Sequence, residues 1–149
     1  HRTLQSNNMS TFKSTERIIS ADLSTVYGRL SNLESLQGLT LNVPDDLKDK
    51  VGNVRIEGDT ITISANPVGD VSFKITKRLE NELIRLEAVS SPLPFNIDVH
   101  LSENTPETTK AMAEIKIELH PIIKPMISKP LQDAAEKFGE LLTVIPYNK

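Results

Sequence analysis

The chain changes its hydrophobic period three times. Phe12 to Ile19 carries Thr15, Ile18 and Ile19 among the polar residues Lys13, Glu16 and Arg17, which predicts a strand. Leu23, Val26, Tyr27 and Leu30 then fall at i, i+3, i+4 and i+7, one face of a helix that Ser20 or Asp22 can cap. Leu33 and Leu36 extend that stripe, Gly38 ends it, and Pro44 opens the acidic turn Asp45-Asp46-Leu47-Lys48-Asp49.

From Val51 the period drops to two. Val54 and Ile56, then Ile61, Ile63 and Ala65, then Val71, Phe73 and Ile75 alternate with polar residues. Ile84, Leu86 and Ala88, then Phe95, Ile97, Val99 and Leu101, then Ala111, Ala113, Ile115, Ile117 and Leu119 do the same. Gly58-Asp59, Asn66 to Asp70, Glu80 to Glu82 and the polar run Glu103 to Thr108 read as turns or loops between them. Six strands with one apolar and one polar face predict an antiparallel meander with one wet face.

The apolar face needs a cover, and the C-terminus supplies it. Leu131, Ala134, Ala135, Phe138, Leu141, Leu142 and Ile145 keep helical spacing, with Gln132, Asp133, Glu136, Lys137 and Glu140 on the other side. Pro121, Pro125 and Pro130 predict that 121–129 is broken or kinked before that helix begins. The predicted architecture is α+β: a curved antiparallel sheet of about seven strands wrapped on a long C-terminal helix, with short helices between the first two strands.

Composition narrows the chemistry. The chain of 149 residues has the length of one domain. Its hydrophobic fraction of 38% and charged fraction of 25% are those of a globular chain. The absence of cysteine excludes disulfides, thiolate zinc sites and a Cys nucleophile. No apolar run is long enough for a membrane-spanning helix. A pI near 5.6 argues against a nucleic-acid partner, which would want a basic face. A cytoplasmic location is expected. Residues 1–8 are polar and aperiodic and read as a leader before Met9, with 9–149 as one domain.

The order of elements is similar to that of the START/Bet v 1-like superfamily, the helix-grip fold of the polyketide cyclase/dehydrase and lipid transport group. The segment Ile18-Ile19-Ser20-Ala21-Asp22-Leu23-Ser24-Thr25-Val26-Tyr27-Gly28-Arg29-Leu30-Ser31-Asn32 resembles the family's strand-then-helix start, and Leu131 to Leu142 resembles its terminal gripping helix. The resemblance implies a cavity between sheet and helix for a lipid, quinone or polyketide-like molecule, bound without catalysis or cofactor. The expected walls are Tyr27, Ile61, Ile63, Phe73, Ile75, Leu86, Phe95, Ile97, Val99, Ile115, Met126, Phe138 and Leu142. Small residues (Ala65, Ala88, Ala111, Ala113, Ala134, Ala135, Gly139) leave volume that a guest or larger neighbours must fill. The alternatives are a cyclase/dehydrase-type enzyme, which needs ionisable groups inside the cavity, and a protein-interaction module, which needs an exposed apolar patch.

Candidate polar chemistry is sparse. Asp98 and His100 share one strand face, the one opposite Ile97, Val99 and Leu101, so both are expected to face water. His120 ends a strand. Two scattered histidines without cysteine do not predict a metal site. Tyr27 lies on the buried stripe of the first helix and is the expected interior phenol. Gly139 marks close packing or room for a ligand, and Met126 and Ile127 stand where the covering helix begins.

Overall fold

The computed structural model describes residues 9–36, 51–65, 69–90 and 95–147; the side chains of 51–54, 63–65, 69–70 and 90 lie outside that description. The expected leader, Gly38, the acidic turn after Pro44 and residues 66–68 of the expected turn also fall outside it.

Eight strands form one antiparallel sheet: β1 (Met9–Lys13), β2 (Arg17–Ile19), β3 (Val51–Glu57), β4 (Thr60–Ala65), β5 (Gly69–Leu79), β6 (Leu83–Ser90), β7 (Phe95–Thr105) and β8 (Thr108–Glu118). The order is β1-β8-β7-β6-β5-β4-β3, with β2 also on β8. Helix α1 (Leu23–Leu30) and a 3-10 turn (Leu33–Leu36) follow β2, and helix α2 (Lys124–Thr143) follows β8. The 3-10 turn packs on β3, the strand at the far edge from β1. The sheet is therefore strongly curved, as the predicted helix-grip architecture requires.

Local chemistry explains most boundaries. Asp22 caps α1 by accepting the Thr25 amide at 3.1 Å and the Thr25 hydroxyl at 2.7 Å. The β3–β4 and β5–β6 turns use left-handed residues, Gly58 at φ 59° and Asn81 at φ 61°. Gly69 and Asp70, expected in a turn, instead open β5 opposite Ala65 and Ser64. The expected loop from Glu103 to Thr108 tightens to a turn, because Thr105 pairs with Thr108 and their hydroxyls meet at 2.7 Å.

The single N-terminal strand that the sequence predicts is two. β1 pairs Lys13 with Glu114, whereas β2 pairs Arg17 with Ala111, so one extra residue is held between them. That extra residue resets the alternation: Phe12 and Ser14 point inward before it, Arg17 and Ile19 after it. The bulge frees backbone groups, and side chains answer them. Ser14 Oγ accepts the Ala113 amide at 2.9 Å. Glu136 of α2 accepts the Thr15 amide at 2.9 Å and the Thr15 hydroxyl at 3.0 Å, and Gln132 donates to the Lys13 carbonyl at 2.7 Å.

Gln132 and Glu136 were expected on the solvent side of the C-terminal helix; the bulge draws them to the sheet instead. Ala134, expected on the buried stripe, is exposed for the same reason, and Ala135 is fully buried. The helix also begins earlier than the prolines suggest. Pro125 occupies its first turn, where no amide hydrogen is needed, and Pro130 is accommodated inside it.

Gly139 lies against the bulge. A Cβ there would stand 2.8 Å from Ser14 Oγ and 2.9 Å from Ser14 Cβ. Neither atom can swing away, because Ser14 is fixed by Ala113. Gly139→Ala should therefore lower stability by about 1–3 kcal/mol, although alanine is the better helix former by about 1 kcal/mol. Urea denaturation checks this; an unchanged or raised midpoint would show that α2 is not seated on Ser14.

Candidate functional site

The inner surface of the sheet is the first candidate. Phe73, Ile75, Leu86, Ile97, Val99, Ile115 and Leu142 all lie in the buried core, between 2% and 7% exposed. Ile61, Phe95, Phe138 and Tyr27 are half-buried against the same cluster. Ile63 pairs with Val71 on the backbone, and its side chain is outside the described set. Phe73 and Phe95 meet edge to face, with centroids 5.5 Å apart. Eleven of the thirteen expected wall residues therefore gather in or against one apolar cluster.

Met126 does not join them. It is 74% exposed, in the helical row of Pro130 and Asp133 on the far side of α2 from Ala135 and Leu142. The interior phenol is also a different residue. Tyr147 is 5% exposed and donates to the Leu142 carbonyl at 2.5 Å, and burial pushes its phenol above the ordinary tyrosine range. No periodicity marks Tyr147, because it follows the helix in a turn.

Helix α2 packs chiefly on β8, β1 and β2. Beneath it Ala111, Ala113 and Ala135 are at most 2% exposed. Those small residues let the helix approach the sheet. The apolar surface extends beyond this footprint to Phe73 and Ile75 on β5 and Leu86 on β6. Among the described inward positions, arginines stand only at the margin. Arg17 bonds Glu136 at 3.3 Å, and Arg78 bonds Asp59 at 2.9 Å and the Ser31 carbonyl at 3.0 Å.

The outer face carries the second candidate, and here one expectation is corrected. Asp98 points away from the core as predicted, yet it does not face water: its side chain is 1% exposed. Arg85 grips it twice, at 2.8 and 2.9 Å, Asn96 donates at 3.0 Å and Lys116 approaches at 3.3 Å. Glu114, directly across the strands from Asp98, accepts from or donates to His100 Nε2 at 2.7 Å according to which holds the proton. The cations roof the carboxylates with their long stems, which alternation along one strand cannot reveal. Burial pushes the Asp98 carboxyl up, and the Arg85 and Lys116 contacts outweigh it, holding the group below the ordinary carboxylate range.

Asp98, His100 and Glu114 place ligand atoms within 4.8 Å of one another. The donor set does not fit a metal ion, because both Asp98 oxygens are already occupied and two cations stand beside them. His100 also borders an open hollow of about 380 Å³ with Leu79, Leu83, Lys110 and Met112. His120, at the end of β8, accepts the Ile122 amide through Nδ1 at 3.2 Å, a structural role.

Removing Asp98 strands Arg85 and Lys116. Asp98→Ala should cost about 3 kcal/mol or more in chemical denaturation, whereas the paired apolar replacement Asp98→Leu with Arg85→Met should cost clearly less. The stability that Asp98 supplies is complete above its unfolded-state pKa and is lost as pH falls through its lower folded-state value. The acid limb of the stability curve should therefore flatten in Asp98→Asn. An equal loss for the single and paired replacements would count against the network.

No family model matches the chain, and no curated protein matches it either. Solved structures do. A START superfamily protein from Mycobacterium smegmatis is similar over 91% of this chain and 94% of its own, at 12% identity and a TM-score of 0.62. Norcoclaurine synthase from Thalictrum flavum is similar over 95% of this chain and 92% of its own, at 13% identity and a TM-score of 0.62. A protein from Thermus thermophilus covers 90% and 94%, at 18% identity and a TM-score of 0.60. These likenesses span nearly the whole of each chain. The chain has the START/Bet v 1-like helix-grip fold.

Proposed function

We infer that the protein binds a hydrophobic small molecule between the inner surface of the sheet and α2, as a carrier or sensor. The observation that carries this reading is the apolar surface running past the footprint of α2 to Phe73, Ile75 and Leu86. Ile61, Phe95 and Phe138 stand half-buried around it. A lipid, quinone or polyketide-like skeleton matches such walls, because aliphatic contact alone supplies about 25 cal/mol per Å² of buried apolar area. Ile63 and Tyr27 belong to the same proposed wall; Met126 lies outside it. The fold supports the reading, since structures of this kind grip a space between sheet and helix. A cyclase-type reaction would need an acid or base among the inward residues, and the described inward positions of β6 to β8 offer only Glu103, exposed near the end of β7. No described helix is long and apolar enough to cross a membrane.

Native mass spectrometry of the purified chain, with organic extraction of what accompanies it, tests the reading. A bound hydrophobic species that leaves on denaturation is the expected result. Adding that species back at about 100 times its Kd should raise stability by about 2.7 kcal/mol and Tm by several degrees. A bare protein mass, together with no thermal shift from fatty acid, quinone or polyketide-like probes, would overturn it.

A further inference from the structure

The lead-in to α2 departs from the polar surface that the alternation predicts. Ile122, Ile123 and Met126 are 75%, 37% and 74% exposed. Single exposed apolar residues need no explanation, but three within one turn and its lead-in make a patch. The backbone holds them outward. The His120 carbonyl accepts the amides of Ile123 and Lys124, both at 3.1 Å, while His120 Nδ1 accepts that of Ile122. Pro121 and Pro125 stiffen the same turn.

The charges within the segment that carries the patch are lysines, with Asp133 next beyond it on the row of Met126 and Pro130. Between Glu118 and Asp133 the chain carries Lys124 and Lys129 and no acidic residue, although its net charge is −3. Lys124 makes no ion pair among the described residues. Lys129 is 86% exposed and, among the described residues, reaches Asp133 at 3.6 Å. The helix begins at Ile123 without a side-chain cap and with no acid in its first turn, so the positive end of its dipole is not countered there. An apolar tip flanked by lysines is the pattern of a helix that lies in a bilayer interface, with stems among acyl chains and ammonium groups at anionic headgroups. A second copy is a poorer occupant, since two-fold apposition would set the same lysines against each other.

We propose that this patch docks the protein on an anionic phospholipid surface, Ile122, Ile123 and Met126 entering the interface and Lys124 and Lys129 meeting the phosphates. The proposal does not depend on the interior binding a ligand. Co-sedimentation of the full chain with vesicles of phosphatidylcholine, alone or mixed with phosphatidylglycerol, tests it. Binding to the mixed vesicles is expected, weakening as salt is raised. The pairs Ile122→Ser with Met126→Ser, and Lys124→Glu with Lys129→Glu, should each weaken it about tenfold. Their melting curves should match the parent, because Ile122, Met126 and Lys129 are exposed; if a pair melts early, the single variants Met126→Ser and Lys129→Glu decide. Equal binding to both vesicle types, or anionic binding that survives both pairs, would overturn the proposal. So would a solution dimer broken by the Ile122→Ser, Met126→Ser pair, which would assign the patch to self-association.

Discussion

One extra residue between Lys13 and Arg17 governs how the molecule closes. It splits the first strand, leaves the Thr15 amide and Lys13 carbonyl without strand partners, and turns Ser14 toward α2. Glu136 and Gln132 reach back to those groups, and Gly139 gives up its side chain so that the helix can approach Ser14. The Thr15 amide and hydroxyl and the nearby Arg17 guanidinium hold the Glu136 carboxyl below the ordinary range. The helix is thus located by polar contacts at its edge as well as by Ala135 and Leu142 on its apolar face. Apolar burial has no direction, so these few hydrogen bonds set where along the sheet the helix lies.

That placement divides the inner surface. Where the helix sits, alanines on β8 bring it close and the packing is tight. Farther across, the apolar surface belongs to β5, β6 and β7 and lies outside the helix's main contacts. The curvature that brings β3 against the 3-10 turn encloses this second region from the opposite side. The Arg78 bonds to Asp59 and to the Ser31 carbonyl tie β5 to the β3–β4 turn and to the end of α1 along that margin.

The outer face shows how a strand can keep its polar alternation and still bury a charge. Asp98 and Glu114 face each other across β7 and β8, an arrangement that is repulsive in isolation. Arg85 from β6 and Lys116 from β8 offset that repulsion, and with His100 from β7 they cover the carboxylates. The interaction therefore fastens three central strands together on the face opposite α2. Fully partnered as it is, Asp98 has no lone pair left for a ligand, and the group reads as structural.

Local patterning along the chain was enough to set the class of structure. A period of 3.6 at Leu23–Leu30 and Leu131–Leu142, and a period of two from Val51 to Leu119, are consequences of local geometry and need no partner to be read. The core positions Phe73, Ile97, Val99 and Ile115 were legible for the same reason, and the helix cap was narrowed to Ser20 or Asp22, of which the structure uses Asp22. The rest came from contacts between distant segments. The bulge at Ser14 depends on a helix more than a hundred residues later. Asp98 is buried by cations from two neighbouring strands, and Tyr147 rather than Tyr27 is the enclosed phenol because the chain folds back after α2. Met126 obeys the apolar composition of its segment and yet faces solvent, since seating α2 through Gly139 fixes the rotation of the helix. Periodicity shows which residues share a face; only packing between remote parts of the chain settles what that face meets.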